Sequence, residues 1–169
     1  MSVIKSDSTS FDARAYRDAL GCFATGVCLI STRDENGRAR ALTANSFTSV
    51  SLYPPMILWC IDVSSERYDL FSGTDYFAVN MLRTGEMDVS QDFAKNVEAT
   101  ISEDQLVVGS QNIPRYANAL GYIECRTAWR QRAGDHVVIF GHVIGYGSQP
   151  GDALGFFKGG YTPVQSSKG

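Results

Sequence analysis

The sequence is poor in imidazole: His136 and His142 are its only histidines among 169 residues. A Ser-His-Asp triad therefore has few possible bases, and no GxSxG nucleophile elbow is present to supply the serine. The four cysteines, Cys22, Cys28, Cys60 and Cys125, form no CxxC pair. With so little histidine beside them, no metal site is expected. Small free thiols, mostly inside apolar runs, are the expectation. No GxGxxG joins a strand to a helix, and no GxxxxGK[ST] loop occurs, so a nucleotide must be held by some other scaffold. No run approaches the 18 or so apolar residues of a membrane-spanning helix. Lys and Arg number 15 against 18 Asp and Glu, a formal charge of −3. That balance carries no basic footprint for nucleic acid. The first residues lack the charged and apolar regions of a signal peptide, and the expected location is the reduced cytoplasm.

What is present is an ordinary globular composition, with 44% hydrophobic and 20% charged residues. Its length suits one domain with a sizeable core. Residues 1–9 are polar and expected to be flexible, residues 10–163 to form the domain, and 164–169 a tail. Ser10 is placed to cap a helix running to about Cys22, with Asp12 in its first turn. Val27–Thr32 and Ala39–Thr43 read as a hairpin around Asn36-Gly37, a pair that tolerates positive φ. A strand over Ser46–Leu52 ends at Tyr53-Pro54-Pro55. Met56–Ile61 and Tyr76–Leu82 read as buried strands. Short helices are expected over Glu66–Ser72 and Glu86–Lys95. Asn96–Asn118 reads as irregular, and Gly121–Arg132 and Val137–Tyr146 as two long strands. In the first, Glu124, Arg126 and Arg130 fall on the polar face. Strands linked by turns predict a mainly β, antiparallel barrel with peripheral α-helices.

Several segments arouse chemical interest before any family is considered. Thr43-Ala44-Asn45-Ser46 combines small side chains with hydroxyl, amide and backbone N–H donors; alone it reads as a polar strand or turn. Asp62-Val-Ser-Ser65 offers donors ahead of a short helix, a site for an anion or simply a cap. Asn80 interrupts an apolar strand and needs partners if buried. Lys95 closes a helix that also carries Gln91 and Phe93. His136 follows Gly134-Asp135 in a turn, where an imidazole can stack on or bond a ring.

Six elements then come in order: Phe23-Ala-Thr-Gly-Val27, Gly37–Ser51, Pro54–Cys60, Phe77–Leu82, Gly134-Asp-His136 and Phe156–Tyr161. Together they resemble the flavin reductase-like family, short-chain NAD(P)H:flavin oxidoreductases built on an FMN-binding split barrel. The resemblance spans Phe11 to Tyr161. It implies FMN or FAD as flavin and NADH or NADPH as hydride donor, nicotinamide C4 passing hydride to flavin N5. It also implies a homodimer that supplies reduced flavin to a separate monooxygenase component. Carried onto this sequence, the pocket is Arg40–Leu52, with Thr43, Ala44, Asn45 and Ser46 at the ring. Asp62, Ser64 and Ser65 meet the phosphate, with Asn80, Leu82, Gln91, Phe93 and Lys95 as further cofactor contacts. The dinucleotide lies near Thr25, Asp135, His136 and Tyr161, and His136 is the expected catalytic residue. Arg126, Arg130 and Arg132 are candidates for a 2′-phosphate contact. The same barrel also serves FMN-binding electron carriers and flavin stores, a reading that Gly134-Asp-His136 argues against. A pyridoxamine-phosphate oxidase-type enzyme would need a basic phosphate cluster, and none is seen.

Overall fold

A computed structural model describes residues 11–165. The expected flexible segment 1–9, the Ser10 cap and residues 166–169 lie outside the described residues. Helix α1 (Ala13–Leu20) is shorter than expected, and its N-cap is Asp12, whose carboxylate accepts from the Arg14 and Ala15 N–H groups. The strands follow: β1 (Thr25–Gly26), β2 (Cys28–Arg33), β3 (Ala39–Ala44), β4 (Thr48–Leu52) and β5 (Pro55–Asp62). Then come α2 (Tyr68–Gly73), β6 (Tyr76–Met81) and α3 (Met87–Lys95). Beyond α3 lie β7 (Leu106–Val108), β8 (Pro114–Tyr116), β9 (Gly121–Ala133), β10 (His136–Ser148), β11 (Ala153–Phe157) and β12 (Gly160–Val164). Val164, assigned to the tail by sequence, thus closes β12. The 96–118 stretch is less irregular than expected, since β7 and β8 pair as a small hairpin.

The chain is mainly β and antiparallel. Seven strands share one sheet in the order β3-β2-β6-β9-β10-β5-β4, and β1, β11 and β12 form a second. β3 and β4 stand at opposite edges of the larger sheet, yet only residues 45–47 join them. Four residue steps reach at most roughly 14 Å. A flat sheet would hold those edges apart by six strand spacings, about 29 Å. The sheet is therefore curled, its edges drawn together at that end, although β3 and β4 share no ladder.

The core follows from the curl. Ile30, Leu42, Trp59, Phe71, Phe77 and Ile139 fill its inside, with Phe71 and Phe77 edge-on to Trp59. A second cluster of Val27, Leu29, Leu82, Phe93, Tyr116 and Leu154 lies under α3 and the β11–β12 hairpin. β2 feeds both clusters, which explains its unbroken run of buried residues. β5 departs from expectation: Ile57, Trp59 and Ile61 are buried, but Leu58 and Cys60 are only half-buried on the outer face. Glu124 also departs, because it is 3% exposed rather than on a polar face. It pairs with Arg115 at 3.2 Å, and a Cβ at Gly145 would run into its carboxylate. Cys28 and Cys125 are buried thiols, each pushed up to about 12 by desolvation. Cys22, by contrast, is exposed.

Candidate flavin and nicotinamide site

Thr43 and Ala44 end β3, and Asn45, Ser46 and Phe47 cross to β4. The Thr43 hydroxyl donates to the Ser90 carbonyl at 2.6 Å, tying β3 to α3. The Ser46 hydroxyl donates to the Cys60 carbonyl and accepts from the Cys60 N–H, taking the place of a ladder pair beside β5. For this reason β4 begins at Thr48, two residues later than the sequence suggests. The amides of Asn45, Ser46 and Phe47 make no backbone hydrogen bond among the described residues. Asn45 is exposed, and Thr43, Ala44 and Ser46 are half-buried. A row of unspent donors beside small side chains is what a flat heteroaromatic edge with carbonyl acceptors requires. Arg40, at the other end of the expected pocket segment, is buried and held by Asp34 and Glu98; it belongs to the scaffold.

Asp62 ends β5 directly opposite His136 at the start of β10. The Val63 N–H donates to the Asp135 carbonyl at 3.0 Å, so the loop after β5 is bonded to the turn that carries Gly134 (φ +62°). The Asp62 carboxylate accepts from both the N–H and the hydroxyl of Ser64, each at 2.8 Å. Those two bonds, with smaller help from His136, hold Asp62 below the ordinary carboxylate range. Asp135 is likewise held low, first by its hydrogen bond with His136 Nδ1 at 2.8 Å. With Nδ1 so engaged, Nε2 of the half-exposed imidazole makes no hydrogen bond among the described residues.

Helix α2 starts at Tyr68 rather than Glu66, so Ser64 and Ser65 precede it and are not its N-terminal donors. Ser65 instead accepts from the Arg67 N–H through its hydroxyl. Arg67, which the sequence did not flag, donates to the carbonyls of Ala41, Phe93 and Ala94. It thereby binds the 62–65 loop to β3 and to the C-terminus of α3. Burial, then the nearby Arg40, pushes its guanidinium below the ordinary arginine value. Ser90 was also missed: fully buried, its hydroxyl meets that of Tyr161 at 2.8 Å. Its position three residues before Phe93, on the inward side of α3, was the available signal. Gln91 is half-buried and Lys95 exposed on the same helix. Thr25 lies in β1 opposite Phe156, close along the chain to the second cluster.

Three of the expected contact residues lie in the interior. Asn80 is 0% exposed and fully used inside: its amide donates to Leu29 O and Ser31 Oγ, and its oxygen accepts from Tyr116 N–H. Leu82 and Phe93 are buried in the second cluster, and the Leu82 N–H and carbonyl bond Val27 and Leu154. All three side chains belong to the interior. Of the other expected residues, Thr43 and Tyr161 are both bonded to Ser90 of α3, and Asp62 stands opposite His136. Ser46 bonds β5 at Cys60, two residues before Asp62, and this seam joins the 45–47 link to β5.

Residues 20–165 match the family described as flavin reductase like domain. The chain belongs to that family. Among flavin reductase-like relatives, the stachydrine N-demethylase reductase subunit Stc3 of Rhizobium meliloti is 37% identical over 89% of this chain and 66% of its own length. The FMN reductase (NADH) SmoA of Agrobacterium fabrum is 35% identical, covering 89% of this chain and 85% of SmoA. The structure of flavin reductase PheA2 in its native state superposes with a TM-score of 0.83 at 33% identity, covering 92% of this chain and 100% of that one. The chain spans 51% to 66% of the length of the first curated relatives it matches. Among the described residues, no helix is long and apolar enough to cross a membrane.

Proposed function

We propose that this chain is an NAD(P)H:flavin oxidoreductase whose residues 10–163 form one flavin reductase-like domain with a split-barrel architecture. The observation that carries the reading is the bonded pair of loops: Val63 N–H to Asp135 O joins the expected phosphate loop to the expected nicotinamide turn. The curl of the seven-stranded sheet, closed by the short 45–47 link but left without a β3–β4 ladder, supports the split form.

The donor set fits a flavin. Asn45, Ser46 and Phe47 offer unspent N–H groups at the seam, and Thr43 and Ala44 add a small, half-buried surface. Ser65, Lys95 and Gln91 flank it as groups for the ribityl chain and phosphate, while Ser64 is held to Asp62. A bound flavin supplies an N5 that takes hydride from nicotinamide C4, and the protein supplies position and electrostatics. His136, fixed at Nδ1 by Asp135, presents Nε2 to orient the carboxamide of the dinucleotide. Tyr161, fixed by Ser90, and Thr25, both paired with Phe156, are assigned to the dinucleotide as well.

SmoA is named as an FMN reductase using NADH, and Stc3 as the reductase subunit of a demethylase. By likeness to them, the chain passes reduced flavin to a separate flavin-dependent monooxygenase in the cytoplasm, where free thiols such as Cys28 and Cys125 persist. A homodimer is supported by an apolar groove of about 1000 Å³ lined by Leu52, Tyr53, Met56, Met81, Tyr122 and Tyr146. Leu52 is 78% and Tyr53 95% exposed there, two large apolar side chains left open at one groove. The test is a matrix of FMN and FAD against NADH and NADPH, following loss of reduced-nicotinamide absorbance. No oxidation in any combination would overturn the reductase reading.

A further inference from the structure

His136 does not stand alone on its strand. Along β10, residues alternate between the core and the outer face, and His136, Val138, Phe140 and His142 share the outer side. Phe140 is paired across the ladder with Trp129 of β9. The two rings stack, with centroids 4.3 Å apart and planes 14° from parallel. Trp129 nonetheless remains 47% exposed. An indole already stacked on one side and open on the other is a platform for a second flat ring. A register shift between Phe140 and Gly141 brings Arg126, opposite His142, onto the same face. Arg126 is exposed, and its guanidinium joins no ion pair among the described residues. Successive same-face positions on a strand are about 7 Å apart, so a cation borders the platform.

His136 and Phe140 are four residue steps apart, about 13 Å along a strand. That span is comparable with the separation of the two rings in an extended nicotinamide dinucleotide. We propose that the Trp129–Phe140 stack is the adenine platform for the hydride donor, with Arg126 placed for a phosphate of the adenosine half. This rests on the reductase reading, in which His136 meets the nicotinamide end. The occupant follows from the chemistry: a π-face beside an unpaired guanidinium suits a nucleobase bearing phosphate.

The test uses ADP-ribose, which carries the adenosine half and no nicotinamide, titrated calorimetrically into flavin-loaded protein. Wild type binds it; Trp129→Ala weakens binding about tenfold, as expected for loss of one stacked base, and Trp129→Phe restores most of it. In steady state, Trp129→Ala raises KM for the dinucleotide by a similar factor at unchanged kcat. The KM for reduced nicotinamide mononucleotide, which lacks adenosine, stays within twofold of wild type. Three results overturn the proposal: no ADP-ribose binding by wild type, equal binding by Trp129→Ala, or a loss accompanied by a change of oligomeric state. An equal rise in KM for the mononucleotide overturns it as well. Wild type that binds ADP-ribose but oxidises no dinucleotide refutes the reductase reading alone. Wild type that turns over normally while Trp129→Ala is unaffected refutes the platform alone.

Discussion

The Ser46 hydroxyl faces both backbone groups of Cys60, accepting from its N–H at 3.0 Å and donating to its carbonyl at 3.1 Å. A side chain thus does at the seam what a strand neighbour does elsewhere in the sheet. It frees the Ser46 main chain, and with it the row of amides proposed to meet the flavin edge.

Ser46→Ala should therefore affect two properties together. Leaving the Cys60 groups without their partner costs about 1–2 kcal/mol, read as a lower urea midpoint. Flavin affinity, followed by fluorescence titration, should fall as well, because β5 and the 45–47 link are no longer held. Ser46→Thr keeps the hydroxyl and should retain most of both. Full flavin affinity in Ser46→Ala would separate the seam from the site.

Asn80→Ala should be a stability variant and nothing more. Three bonds to Leu29, Ser31 and Tyr116 are lost in a fully buried place. A loss of about 3 kcal/mol is expected by chemical denaturation. At a temperature where the variant is folded, its flavin affinity should stay within twofold of wild type. A selective loss of flavin binding would return Asn80 to the site.

The acid limb of stability should carry the signature of Asp62. Its carboxyl is held low, chiefly by the Ser64 N–H and hydroxyl. A depressed folded value means that Asp62 stabilises the fold above the unfolded carboxylate value of about 3.9, and that this contribution is lost as pH falls through the folded value. The difference in urea midpoint between wild type and Asp62→Ala should be constant near neutrality and shrink below that range. A difference that grows on acidification would mean that the bonds to Ser64 do not favour the carboxylate.

How much of the fold and the site was legible in the sequence depended on the range of the interaction. The Asn36-Gly37 hairpin and the stop at Tyr53-Pro54 are local, and the chain turns at both. The segments around Thr43, Asp62 and His136 were legible as family elements, and the fold places the last two side by side. Long-range pairing was not legible. Glu124 looked like a surface residue because its partner Arg115 and its neighbour Gly145 are brought there by other elements. Asn80 left two readings open until Tyr116, 36 residues away, took its oxygen. Arg67 gave no signal at all, since its acceptors are main-chain carbonyls, which every sequence has. Even the buried appearance of Met56–Ile61 misled, because the outer face of a curled sheet can be apolar and still half open.

The sharpest prediction concerns His136. Its Nδ1 is committed to Asp135, and its other ring nitrogen makes no hydrogen bond among the described residues. If Nε2 orients the nicotinamide carboxamide, His136→Ala should slow flavin reduction in stopped-flow single turnovers by about tenfold, the worth of one well-placed hydrogen bond. Flavin affinity should not move, because no bond of His136 reaches the seam at Ser46. Asp135→Ala leaves the imidazole in place but unfixed, so its loss should be smaller than that of His136→Ala. The double variant should lose no more than His136→Ala alone, since Asp135 acts only through the ring it holds. An unchanged reduction rate in His136→Ala would remove His136 from the reaction. Additive losses in the double variant would mean that the Asp135 carboxylate has a role of its own beyond the ring it holds.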